Sequence, residues 1–148
     1  MVAKKPFRHE AGTSPDVSML IYLRTALFHM SNTESVAHES VVARDLTAFQ
    51  YNILVILSKE AMYGLAIKRE LEAYYEDEVN HGRLYPNLDD LVDMGLVSKS
   101  ELDKRTNQYA LTDEGYETVT QQLEWLFSYL VTSPDRADDL QDLIDAAL

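Results

Sequence analysis

The spacing of apolar residues changes period along the chain, and the changes mark out its elements. Between Asp16 and Met30, the residues Met19, Leu20, Leu23, Ala26, Leu27 and Met30 recur at steps of three and four, one face of a helix. Asp16 and Ser18 are its candidate caps. Ahead of it, residues 1–15 are broken by Gly12, Ser14 and Pro15 and read as a flexible arm. Residues 31–46 are polar with scattered Val and read as a loop with room for a helical turn, so 16–46 is one N-terminal segment of helix and loop.

Three better-marked helices follow. Thr47 and Gln50 form a capping box, with Leu46 and Tyr51 placed as a hydrophobic staple around it. Phe49, Ile53, Leu54, Ile56 and Leu57 then supply a broad buried face that ends near Lys59. A second helix is predicted over 64–75, with Leu65, Ile67, Leu71 and Tyr74 as its apolar contributors. A third is predicted over 80–94, where Leu84, Leu88, Leu91 and Val92 fall at i, i+4, i+7 and i+8 and Gly95 provides the C-cap.

Beyond Gly95 the pattern alternates. Val97 and Leu102, then Tyr109 and Leu111, flank a polar tip from Asp103 to Asn107, which predicts a two-stranded hairpin with a long loop. Thr112 caps a final helix, and Asp113 and Glu114 suit its positive dipole end. Tyr116, Val119, Leu123, Leu126 and Leu130 form a seam at spacings of three and four, with Trp125, Phe127 and Tyr129 beside it. Residues 112–131 are therefore a candidate dimerisation helix, and 132–148 read as an acidic tail. Three helices, a hairpin and a further helix make a mainly α fold with a small β-wing, a winged helix-turn-helix over 47–111.

Composition narrows the function. The 148 residues suffice for one domain, and 46% hydrophobic against 26% charged leaves enough apolar surface for a core. No apolar run reaches the roughly 18 residues of a membrane span. Met1 to Arg8 is basic but lacks the apolar stretch of a secretory signal, so a cytoplasmic location is expected. Cysteine is absent, which removes disulfides, thiolate metal sites and thiol switches. Twenty-five acids against thirteen Lys and Arg give a net charge of −12. A basic patch is the usual footprint of a nucleic-acid binder, and the global balance opposes one. Locally the balance reverses: residues 80–88 hold His81 and Arg83 and no carboxylate, while Glu76, Asp77, Glu78, Asp89 and Asp90 sit on either side.

The strings Tyr63-Gly64-Leu65-Ala66-Ile67 and Gly82-Arg83-Leu84-Tyr85-Pro86-Asn87-Leu88, continued by Leu91 and Gly95-Leu96-Val97, resemble the PadR-type winged-helix transcription regulators. Tyr109-Ala110-Leu111-Thr112-Asp113-Glu114-Gly115 is similar to the same family where wing meets last helix. The resemblance covers about 46–130. With the acidic composition, the chain is similar to haloarchaeal members, which implies a stress-responsive regulator, more often a repressor, in a saline cytoplasm. The basic run common at family wings is replaced here by Asp103-Lys104-Arg105-Thr106.

Side-chain chemistry suggests the roles. Arg83 suits guanine O6 and N7 bidentately, and Asn87, one turn on, suits adenine N6 and N7. His81 lies at the helix start, within reach of a base edge or phosphate. Tyr85 either donates to a phosphate or packs at the helix junction. Lys68, Lys99, Lys104 and Arg105 are candidate phosphate contacts that position without reading sequence. Leu20, Leu23 and Leu27, together with the seam at Tyr116, Val119, Leu123, Leu126 and Leu130, are the candidate homodimer interface. The expected partners are double-stranded DNA with a pseudo-palindromic promoter site, a second copy of the chain, and cations at the DNA interface. No cofactor or resident metal is expected: Glu76-Asp77-Glu78, and Asp89 with Asp93, read as solvated surface. No metalloprotease helix motif or Gly-rich phosphate loop is present, which argues against an enzyme. The remaining alternative is a winged-helix protein-interaction module that does not bind DNA.

Overall fold

The computed structural model of the chain describes residues 17–31, 45–103 and 105–148; the arm at 1–15, most of the loop at 31–46 and Lys104 lie outside them. The chain divides into two compact units, Glu34–Trp125 and Met1–Thr33 with Leu126–Leu148.

Among the described residues, α1 (Val17–Ser31) belongs to the smaller unit and the next helix, α2 (Ala48–Leu57), to the larger. Its capping box forms as predicted: Thr47 Oγ1 accepts from the Gln50 N–H at 3.2 Å, and Gln50 Oε1 accepts from the Thr47 N–H at 3.0 Å. Strand β1 (Met62–Tyr63) leads into α3 (Gly64–Tyr75), and α4 (His81–Asp93) follows. Phe49, Ile53, Leu54 and Leu57 from α2 pack with Ile67 and Leu71 from α3 and with Leu84, Leu88 and Leu91 from α4. Each leucine removed from water at such positions contributes about 1.5–3 kcal/mol. Gly95, at φ +75°, ends α4 in the left-handed conformation that glycine adopts without a Cβ penalty.

The wing is β2 (Val97–Asp103) and β3 (Thr106–Leu111). Two features differ from the sequence reading. The sheet has three antiparallel strands in the order β1-β3-β2, because Met62 and Tyr63 pair with Tyr109 and Gln108. A two-residue strand is too short to show alternation, so it escaped notice. The hairpin loop is also shorter than five residues, since Asp103 pairs with Thr106 and Glu101 with Asn107. Backbone pairing does not need apolar side chains, so a polar stretch understated the strands.

Helix α5 (Asp113–Leu130) starts at Thr112, whose hydroxyl accepts from the Gly115 N–H at 3.1 Å and donates to the Gly95 carbonyl at 2.7 Å. In the smaller unit, α1 (Val17–Ser31) packs against α6 (Pro134–Ala147). Most of the segment 132–148, read from the sequence as a tail, is therefore helical. Ser133 Oγ accepts from the Arg136 N–H, Pro134 occupies the first turn, and Ala137 is buried. Its density of acids hid a cap followed by Ala137, Leu140 and Ile144 at spacings of three and four. No helix among the described residues is long and apolar enough to cross a membrane.

Candidate nucleic-acid interface

Helix α4 is aimed by its own sequence. Asn80 caps it, its Oδ1 accepting from the Gly82 N–H at 2.7 Å. Leu84, Leu88 and Leu91 are fully buried along one face, so His81, Arg83, Tyr85, Asp89 and Asp90 are left exposed. Pro86 lies inside the helix and supplies no N–H to the Gly82 carbonyl four residues earlier. The side-chain-free Gly82 accommodates the crowding, and the helix continues to Asp93.

The predicted residues divide by what they touch. The Arg83 guanidinium lies over the Phe49 ring, Cζ 4.0 Å from the centroid. Among the described residues no carboxylate pairs with it. His81 stacks on Tyr85 at 5.8 Å between centroids and 7° between planes. Tyr85 sits against the start of α3: a Cβ at Gly64 would stand 2.9 Å from Tyr85 Cε1. Tyr85 thus packs at the helix junction while remaining 38% exposed. Asn87 is turned back on its own helix, its Nδ2 donating to the Arg83 carbonyl at 2.7 Å. Reading adenine with both amide atoms requires release of that bond.

Lys68 and Lys99 are already engaged. Lys68 pairs with Glu72 at 2.8 Å, and Glu72 also accepts from the Val79 N–H at 3.1 Å. Those two donors hold the Glu72 carboxyl below its ordinary range. Lys99 pairs with Asp89 at 3.0 Å and stands 5.8 Å from the centroid of the Tyr109 ring. Asp89 raises the Lys99 ammonium above its ordinary value, while burial pushes the Tyr109 phenol up. Arg105 is exposed near the wing tip, and its backbone N–H donates to Asp103 at 3.0 Å. Lys104 lies outside the described residues.

The dimer candidates also divide. Val119 packs against the core of its own unit, and its carbonyl accepts from the Tyr51 hydroxyl at 3.3 Å. It faces inward because the first half of α5 covers the winged core. Tyr116, Leu123, Leu126 and Leu130 remain exposed along α5, as do Leu20, Leu23 and Leu27 on α1. The spacing of apolar residues places Phe49 in the core and gives no role to Tyr75, which stacks on it, or to Asn52, which donates to the Tyr75 hydroxyl. A ring at the second position of α2 is indistinguishable by spacing from any other core residue.

Three helices with a three-stranded wing, and a recognition-type helix whose opening turns carry no carboxylate, define a winged helix-turn-helix protein. The PadR-like family of transcriptional regulators matches residues 53–121. Solved structures of RosR align over most of their length. The H. salinarum RosR structure grown from NaBr is 64% identical, with a TM-score of 0.68, covering 72% of this chain and 99% of that one. The hsRosR-S4 complex structure is 63% identical with a TM-score of 0.71, covering 74% and 96%. The hsRosR-S1 complex structure is 65% identical with a TM-score of 0.69, covering 71% and 96%. Among curated proteins no match is found. The chain belongs to the PadR-like family of transcriptional regulators.

Proposed function

We propose that this protein is a sequence-specific DNA-binding regulator that acts as a cytoplasmic homodimer on promoter DNA, with a stress-responsive and more often repressing role in a saline cell. The observation that carries this reading is the exposed face of α4, where the Arg83 guanidinium pairs with no carboxylate among the described residues and stands in a carboxylate-free stretch of a strongly acidic chain. Two copies would place their α4 helices in successive major grooves about 34 Å apart on a roughly two-fold symmetric site. Arg83 reads guanine, His81 reaches a base edge or phosphate, and Asn87 reads adenine on releasing the Arg83 carbonyl. Lys68, Lys99, Lys104 and Arg105 meet phosphates, Lys68 and Lys99 by exchanging a carboxylate for a phosphate. The exposed leucines of α1 and of α5 supply apolar surface for association.

Cations complete the proposal. Carboxylates on both sides of the reading face would repel the duplex, and bound cations between them and the phosphates remove that repulsion. A gel shift on the protein's own promoter region tests the function. A regulator shifts the fragment and protects a palindrome-like site; an unshifted fragment at every salt concentration supports a protein-interaction module instead.

A further inference from the structure

Helices α2, α3 and α4 meet at one ring. Phe49, the second residue of α2, is 3% exposed, and two groups stack on it. The Arg83 guanidinium is one, at 4.0 Å. The Tyr75 ring is the other, 6.1 Å away with 20° between planes. Tyr75 is itself held, its hydroxyl accepting from Asn52 Nδ2 at 2.9 Å. Phe49 and Asn52 are three residues apart and so share a face of α2.

We propose that Phe49 is a positioning residue for DNA readout: its ring fixes the plane of the Arg83 guanidinium before DNA arrives and leaves the in-plane N–H edge for guanine O6 and N7. This rests on the reading of Arg83 given above. A ring suits the task better than the alternatives nearby. The carboxylates on Lys68 and Lys99 occupy donor protons and offset charge. An aromatic face attracts the cation while using none of its N–H donors, so both the charge and the fork remain available. A long side chain already held in one orientation also has less freedom to lose on binding.

The full chain is titrated with the protected site of its promoter and with single base-pair variants of that site, and the unfolding of each protein is measured in the same buffer. The proteins are the parent, Arg83→Ala, Phe49→Leu, Phe49→Tyr and the Phe49→Leu/Arg83→Ala double variant. Phe49→Leu keeps apolar bulk but loses the ring face; it should bind about two- to fivefold more weakly and lose preference at the base pair where Arg83→Ala loses it. Phe49→Tyr should restore both, and the double variant should be no weaker than Arg83→Ala. Parental affinity and specificity in Arg83→Ala would overturn the reading of Arg83 itself. A weak Arg83→Ala beside a folded, parental Phe49→Leu would overturn the platform alone, as would losses that add in the double variant. Losses equal on all sequences would overturn base readout in favour of a phosphate contact. Independently of any Phe49 variant, the Arg83 side-chain proton resonances of the free parent should be shifted upfield by the ring, and unshifted resonances would also overturn the platform.

Discussion

Lys99 on the wing and Asp89 on α4 are joined at 3.0 Å, so an acid of the helix proposed to read DNA ties down a cation proposed to meet phosphate. Asp89→Asn should free Lys99 and remove one carboxylate beside the phosphates. Affinity should rise for specific and unrelated sequences alike, and the salt slope should become more negative by about one phosphate contact, or about 0.9. Unfolding should change little, because exposed pairs of this kind contribute about 0–1 kcal/mol. Parallel titrations of operator and unrelated DNA check it; a gain confined to the operator would mean that Asp89 takes part in readout.

Glu72 links stability to pH. Lys68 and the Val79 N–H both favour its ionised form, so its folded pKa is depressed. A depressed carboxyl contributes stability that is present above its unfolded value and lost as pH falls through the folded one. Glu72→Gln should therefore flatten the acid limb of the stability curve below about pH 4.5, while leaving the shape above pH 6 unchanged. Denaturant unfolding at stepped pH and constant salt is the measurement.

Gly115 has no room for a side chain. A Cβ there would press into the Leu96 carbonyl oxygen and stand 2.6 Å from Leu111 Cδ1. Backbone cannot yield as a flexible side chain does, so Gly115→Ala should cost about 1–3 kcal/mol. A thermal melt resolves a loss of that size, and an unchanged melting temperature would show that α5 can shift away from the sheet.

Association is tested on α5. Leu123 is exposed on α5, as are Leu126 and Leu130 on the same helix. Leu123→Asp would bury an unpaired charge in a dimer interface and should weaken association by several kcal/mol. Light scattering should then report monomer, with operator affinity collapsing. A dimer of parental affinity would place the interface on α1.

Salt dependence separates cation-assisted binding from the ordinary kind. A basic protein loses affinity with salt at a slope of about −0.9 per phosphate contact, because counterions are released. If cations bridge carboxylates and phosphates, ions are taken up on binding, and affinity should rise or stay flat with potassium chloride. Changing Glu76, Asp77 and Glu78 to amides should move the slope toward the ordinary negative value. Titrations at several concentrations decide between them: a steep loss in the parent would remove the bridging cations from the mechanism.

The sequence foretold elements where local chemistry and long-range packing agree. The Thr47–Gln50 box, the Leu84–Leu88–Leu91 face and Gly95 all appear where spacing placed them. It was silent where a structure depends on a distant partner. Met62 and Tyr63 become a strand only because Tyr109 and Gln108 lie beside them. Val119 looks like a seam residue until α5 is laid on the core. The site was legible as a list of residue types but not as a set of pairings. Nothing local distinguishes Arg83 on a ring from Lys99 on an acid, and the acid offsets the charge of Lys99 where the ring leaves that of Arg83.

One hydroxyl has a mechanical consequence. Thr112 bonds both the Gly95 carbonyl, just past the end of α4, and the N–H of Gly115 in the first turn of α5. The two helix ends meet at a single oxygen, which donates to one and accepts from the other. Within the larger unit, a displacement of the first turn of α5 that keeps both bonds must carry with it the Gly95 carbonyl, at the far end of the helix proposed to lie in the groove.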